Sequence, residues 1–403
     1  MTRAARNPWI VVLCAAVIVT LAMGTRQAFG LLMRPMALDL DVGREAFGLA
    51  IALQNLLFGV AQPFVGALAD RHGAGRVAAV GAAVYVVGLV AAAQAGGALG
   101  LNLSLGVLIG LGLSGTTFVV VLGAVGRVVD PARRSLAFGL VTAGGSLGQF
   151  LVVPAAQLLI DAWGWRGALV ALAVLVGLIA PLAVGVAGRP NHAAHDDGPQ
   201  LSLGGALREA AGHRGYWLIN AGFFVCGFHV AFIATHLPAY LTDGGIAPGA
   251  GAAALALIGL FNIFGSYVFG MLGDRARKKN VLASLYLGRA AVLAVFLIVP
   301  LSQASALVFA SAMGFLWLGT VPLTSGLVGQ IFGMRYLSTL YGVVFMSHQI
   351  GSFFGAWAGG RVYDLTGSYD LVWFTAVALA LAAAALHLPI RDAAAQRVPA
   401  PAQ

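Results

Sequence analysis

Acidic side chains are scarce in this sequence. Its 403 residues include 14 Asp and Glu, and none lies deep within a long apolar run. Charged residues of either sign make up 9% of the chain, against about a quarter in a soluble domain. With 60% hydrophobic residues the chain cannot cover itself with polar groups, so its main solvent is the lipid bilayer. Only two cysteines occur, Cys14 and Cys226. Both sit in apolar runs and read as small buried hydrophobes, not as a disulfide or metal site. No His/Cys/Asp cluster has metal spacing and no P-loop is present, so no metal, no cofactor and no direct use of ATP is expected. A nucleophile set for an intramembrane enzyme is missing too. The formal charge of +9 is spread over short segments between apolar runs, which argues against a nucleic-acid partner.

What is present is long hydrophobic runs. About 20 apolar residues cross the ~30 Å hydrocarbon core. Twelve segments qualify, at 8–36, 46–68, 77–97, 100–126, 135–161, 167–187, 215–241, 249–273, 280–300, 303–331, 339–362 and 370–389. They are too long for strands and show no sustained alternation. The first run follows basic residues like a signal peptide but continues past any convincing cleavage site, and reads as an uncleaved span. One set of loops carries most Lys and Arg, and the opposite set only Arg44, Arg166 and Arg361. The basic side is expected to be cytoplasmic, with both termini on the cytoplasmic side of the inner (cytoplasmic) membrane. Residues 188–214 form the longest polar stretch and read as a linker between six-helix halves, 1–187 and 215–403. Within it, "SLGGALREA" reads as a short surface helix.

The halves echo each other. "GALADRHGAGR" follows span 2 and "GMLGDRARKKN" follows span 8, so that Gly66, Leu68, Asp70 and Arg71 match Gly270, Leu272, Asp274 and Arg275. Spans 5 and 11 match at Gly139/Gly342, Gly148/Gly351, Asp161/Asp364 and Gly164/Gly367. Spans 1 and 7 match at Gly24/Gly227 and Pro35/Pro238. Two parallel repeats of six helices, with a site between them, make a transporter architecture.

The "GALADRHGAGR" loop, with its degenerate second copy, resembles the signature loop of the major facilitator superfamily. The resemblance covers the whole chain and implies an all-α membrane fold of twelve spans. It also implies a gating motif of Gly66, Asp70, Arg71 and Arg76, echoed by Asp274 and Arg275. In that family the motif's Asp is thought to meet a helix N-terminus across the interface between halves, where the dipole favours an anion. The alternative is that these charges anchor loops and set topology. Spans 5 and 11, with "GWRGA" and "YDLTGSYD" after them, resemble more narrowly the monocarboxylate transporter and oxalate/formate antiporter branch. The chain departs from that branch at Asn262, Ser266 and Leu31, where animal monocarboxylate transporters carry Asp, Arg and Lys.

Arg26, in "GTRQAFG", lies well inside span 1. A guanidinium stays charged and costs at least ~2.5 kcal/mol in mid-bilayer unless it faces water or a partner. The fold implied by the resemblance puts spans 1, 4, 7 and 10 around a central cavity. Arg26 would then face that cavity and accept a carboxylate through its planar fork. Snorkelling or a structural pair are the alternatives. The repeat places His229 opposite Arg26, where it is either a cavity ligand or an interior histidine. His348 and Gln349 cluster with Ser347 on span 11. Further polar candidates are Gln27, Gln54, Asn55, Thr116, Thr117, Thr142, Asn262, Tyr267, Thr320, Thr324 and Ser325. Trp317 either stacks on substrate or packs a helix. Arg289, in a peripheral span, reads as structural.

The expectation is a monomeric secondary transporter of a small organic anion, driven by a proton on His229 or His348 or by exchange for a counter-anion. The alternative is an efflux transporter for apolar or cationic compounds, against which a cavity cation without an acid counts.

Overall fold

A computed structural model describes residues 7–130, 134–187, 202–333 and 337–394; the side chains of Asp70, Arg127, 134–136 and Ser338 lie outside the description. The chain is a bundle of twelve membrane-crossing helices in two repeats. Among the described residues, ten helices are long and apolar enough to cross a bilayer. One of these, Ala137–Ala183, contains two spans joined at Gly164, and Leu337–Thr366 completes the twelve.

Span 1 consists of Pro8–Gln27 and Phe29–Asp39, with a tight joint at Ala28. Spans 2 and 3 are Arg44–His72 and Ala74–Ala93. Span 4 is broken: it runs from Ala98 through a π-helical stretch, Asn102–Leu108, to Thr116, and resumes as Phe118–Val128. Spans 5 and 6 fill Arg134–Gly177 and continue into Ile179–Ala183. A short helix, Leu203–Gly212, with Ser202 as its N-cap, precedes span 7, Arg214–Asp243. Spans 8 and 9 are Pro248–Arg275 and Lys278–Ile298. Span 10 is also broken, into Gln303–Phe315 and Thr320–Phe332. Spans 11 and 12 are Leu337–Thr366 and Asp370–His387.

The repeat has a physical basis in the glycines. Gly164 and Gly367 adopt φ of 66° and 72°, a region that favours glycine, and so reverse the chain after spans 5 and 11. Gly24 packs on span 5, where a Cβ would stand 2.7 Å from the Gly148 carbonyl oxygen. Its repeat mate Gly227 packs on span 11, where a Cβ would stand 1.8 Å from the His348 carbonyl oxygen. Lipid gives helices no hydrophobic reason to associate, so close backbone approach over small residues holds each pair.

The two ends of the bundle differ. We call the end that bears the 6–7 linker the linker face. At the opposite face, spans 2 and 11 touch: a Cβ on Gly48 would lie 2.5 Å from the Ala356 carbonyl oxygen. Toward the linker face, Gly139, Gly270 and Gly342, on spans 5, 8 and 11, have no neighbouring atom within 4 Å of the place a Cβ would occupy.

Candidate functional site

Span 1 carries Arg26 to the contact between halves. Its guanidinium donates from Nη2 to Asn55 Oδ1 on span 2 and lies 5.9 Å from the centroid of the Phe58 ring. Nε is buried without a partner, and no ion pair to Arg26 occurs among the described residues. Arg26, Gln27, Gln54 and Asn55 face Val230, Ala231 and Thr235 of span 7 around a cavity of about 20 Å³. That is room for about one water, so the site is collapsed in this state.

Two amide bridges tie this pocket across the halves. Gln27 donates to Gln149 of span 5 (2.9 Å), and Gln149 donates to the Leu255 carbonyl oxygen of span 8 (2.8 Å). Gln349 of span 11 donates to the Asn55 carbonyl oxygen (3.0 Å). Arg26, Gln27, Asn55 and Gln349 are thus gathered, and Gln149 joins them.

The other expected site residues stand apart. His229 is turned toward span 12, with Nε2 2.8 Å from the Ala376 carbonyl oxygen, and does not line the Arg26 pocket. The repeat fixes a position along a helix, not the direction a side chain takes. His348 packs between the rings of Phe223 and Phe345, with Nδ1 3.0 Å from Gln349 Oε1. Thr117 occupies the break in span 4 and accepts a hydrogen bond from Gln62 (3.2 Å).

Asn262, Trp317 and Thr320 meet at the break in span 10, and Arg289 explains how that break survives in the bilayer. A broken helix leaves carbonyls and N–H groups without partners. Arg289, fully buried on span 9, donates from Nε and Nη2 to the Leu316 carbonyl oxygen (3.1 and 2.9 Å) and from Nη2 to that of Trp317. From span 8, Asn262 Oδ1 accepts the Leu318 N–H (2.9 Å), while its amide donates to Ser146 of span 5 (2.9 Å). Thr320 Oγ1 lies 3.2 Å from Cys226 Sγ.

The loop motifs lie at the linker face. Arg71, Arg76, Asp274 and Arg275 are exposed, and none forms an ion pair among the described residues. Gly66 faces span 4, where a Cβ would stand 3.2 Å from Val119 Cγ1. The Asp70 side chain lies outside the described residues.

The opposite face carries a latch between halves. Asp364 at the end of span 11 accepts the backbone N–H groups of Arg44 (3.0 Å) and Glu45 (2.8 Å), capping the N-terminus of span 2. Arg44 donates to both carboxylate oxygens of Asp243 at the end of span 7 (2.5 and 2.9 Å) and to the Tyr369 hydroxyl (2.9 Å). Its guanidinium stacks 3.7 Å from the Tyr363 centroid. Glu45 accepts from Trp357 (3.1 Å) and Arg361 (2.9 Å). Burial raises the Tyr369 hydroxyl, in the turn before span 12, above its ordinary pKa, so it remains a phenol. Sequence reasoning took Arg44 and Arg361 as markers of topology. The recurrence of Asp364 in the repeat was the available signal, but not what it would bind.

Residues 15–356 match the family model described as Major Facilitator Superfamily. The chain belongs to this superfamily. It is a multi-pass membrane transporter, not an enzyme. The uncharacterized MFS-type transporter YcxA of Bacillus subtilis (strain 168) is 24% identical over 388 residues, covering 92% of each chain. Monocarboxylate transporter 13 of Rattus norvegicus is 29% identical over 384 residues, 93% of this chain and 86% of the relative. Among solved structures, a bacterial homolog of the human lysosomal transporter Spinster, inward-facing and occupied, aligns with a TM-score of 0.75 at 16% identity, over 94% of this chain and 95% of that one. That likeness shows the superfamily fold. The match to monocarboxylate transporter 13 agrees with the resemblance noted in the sequence to the monocarboxylate transporter branch.

Proposed function

We propose that this superfamily member carries a small organic anion, a monocarboxylate in the first instance, across the cytoplasmic membrane by alternating access. Arg26 takes the carboxylate. One observation carries this reading: a guanidinium between the halves, with an unpartnered buried Nε and no acid paired to it among the described residues. A planar anion would satisfy the fork that Asn55 engages at one nitrogen only. The names of the monocarboxylate transporter relatives support the substrate class.

In this reading residues 1–187 and 215–403 move as two bodies about the linker 188–214, and the basic linker face is cytoplasmic. The state described is then closed outside by the latch. The test is a thermal-shift screen of the purified protein against monocarboxylates, dicarboxylates, sugars, amino acids and organic cations. Monocarboxylates should stabilise it saturably. Stabilisation by neutral or cationic compounds alone refutes the assignment. Arg26→Ala should abolish the shift, and Arg26→Lys should not restore it, because an ammonium lacks the planar fork.

A further inference from the structure

His236 is a buried histidine that the binding site leaves unused. It lies near the end of span 7, behind the latch, and is 1% exposed. Nε2 is 2.7 Å from the Ala356 carbonyl oxygen of span 11, and Nδ1 is 3.2 Å from the Tyr369 hydroxyl. A carbonyl only accepts, so Nε2 carries the hydrogen and Nδ1 is a lone pair. The Tyr369 oxygen accepts from Arg44, which leaves its own hydrogen for Nδ1. Arg44 closes the chain on Asp243. The other acceptor near the hydroxyl hydrogen is the weak one of Met33 Sδ, 4.0 Å away, so the arrangement with Nδ1 is the relay of a neutral imidazole.

The charged and titratable groups around the relay come from every element packed on it. Span 1 contributes Arg34, 3.5 Å from Asp243. Span 2 contributes Arg44, with Glu45 beside it. Span 7 contributes Asp243, and Tyr240, whose ring lies 6.1 Å from that of Tyr369. Span 11 contributes Tyr363 and Asp364. The turn before span 12 contributes Tyr369.

We propose that His236 is the proton-binding site that unlocks the opposite-face latch. A proton from water on that face, taken by the Nδ1 lone pair, removes the acceptor of the Tyr369 hydroxyl hydrogen. The hydroxyl must then turn away, and an imidazolium and a guanidinium face each other across one oxygen atom. The closed latch and the protonated ring exclude each other, so a falling pH on that face populates the open latch. The switch itself stands on the latch geometry; its use, to couple proton entry to anion uptake, rests on the transport reading.

The experiment separates the two. Spin labels on Leu38→Cys and Leu365→Cys, exposed positions at the ends of spans 1 and 11, report the latch distance in a Cys14→Ser background. Electron–electron distances are measured in lipid nanodiscs from pH 8 to pH 5, with thermal melting as the check on folding. The otherwise wild-type chain should shift toward the long distance, by up to about tenfold in population ratio per pH unit for one proton. His236→Gln should give a distribution that ignores pH. Tyr369→Phe, which removes the hydroxyl between ring and guanidinium, should blunt the response. A wild-type distribution flat with pH, or an unchanged response in His236→Gln, overturns the proposal. A His236-dependent latch in a protein that transports no anion upholds the switch and refutes the transport reading. Anion uptake with a latch blind to pH does the reverse.

Discussion

Replacing Gly360 by alanine tests whether the latch, and not the bundle as a whole, holds the opposite face shut. Gly360 of span 11 lies against the first turn of span 2. A Cβ there would stand 2.3 Å from the Arg44 carbonyl oxygen and 2.7 Å from the Glu45 nitrogen. Both are backbone atoms and cannot rotate away, so the helices must separate. Gly360 does not hold a positive φ, so alanine fits the backbone itself. The strain exists only while spans 2 and 11 touch here. Overpacking of this kind costs about 1–3 kcal/mol, and charged to one state alone it lowers the closed-to-open ratio by about 5- to 150-fold. A cysteine at Thr235, which lines the Arg26 cavity and is 3% exposed, serves as reporter. An impermeant maleimide added at the opposite face should label it slowly in the parent and faster by that factor in Gly360→Ala. Gly342→Ala, on the same span but in open space, is the control and should leave the rate unchanged. Equal labelling of parent and Gly360→Ala would refute the reasoning.

Other variants probe the remaining contacts. Arg289→Lys keeps the charge but loses the fork, leaving at least one span 10 carbonyl without a donor; melting should report a loss of about 1–3 kcal/mol, and an unchanged melt would remove Arg289 from its capping role. Arg26→Ala should weaken anion binding by about 30-fold or more in titration calorimetry, the lower end of what truncating a buried charged contact costs; wild-type affinity would discard Arg26 as the carboxylate group. Asp70→Asn should enlarge the population open at the linker face, read by cysteine labelling from that side, and identical labelling would leave Asp70 a topology residue. His229→Gln should lower stability yet keep any proton-driven uptake, because its ring is turned to span 12; loss of that uptake alone would return His229 to the coupling step.

Much of this was legible in the sequence because its signals are local. Apolar runs of spanning length marked the helices. The pairs Gly24/Gly227 and Gly148/Gly351 marked two close helix contacts, and Gly164/Gly367 marked two chain reversals, since each needs glycine for a reason that recurs in both halves. Arg26 was conspicuous because a charge in an apolar run demands an explanation. The latch was not legible. Asp364 caps backbone N–H groups more than 300 residues away, and a backbone donor leaves no trace in residue type. The same holds for Arg289, whose partners are carbonyl oxygens exposed by a break that no single residue announces. For His229 the repeat gave the height in the membrane and not the direction of the ring, which meets span 12.

The Arg289 cap also constrains the order of assembly. Span 9 leaves the ribosome before span 10, and until the carbonyls of Leu316 and Trp317 exist its guanidinium has only a weak sulfur acceptor, Cys226 of span 7, to bind. An arginine at the centre of a lone helix raises the cost of insertion by about 2.5–3.5 kcal/mol on the translocon scale. The connection to span 10 is only a few residues long, closed by the reciprocal Ser302–Ser305 capping box, which suits a hairpin that partitions as one unit. A nascent chain cut after Val299 should therefore insert span 9 poorly, one cut after Gly333 should insert it well, and Arg289→Leu should erase the difference in a glycosylation-mapping assay.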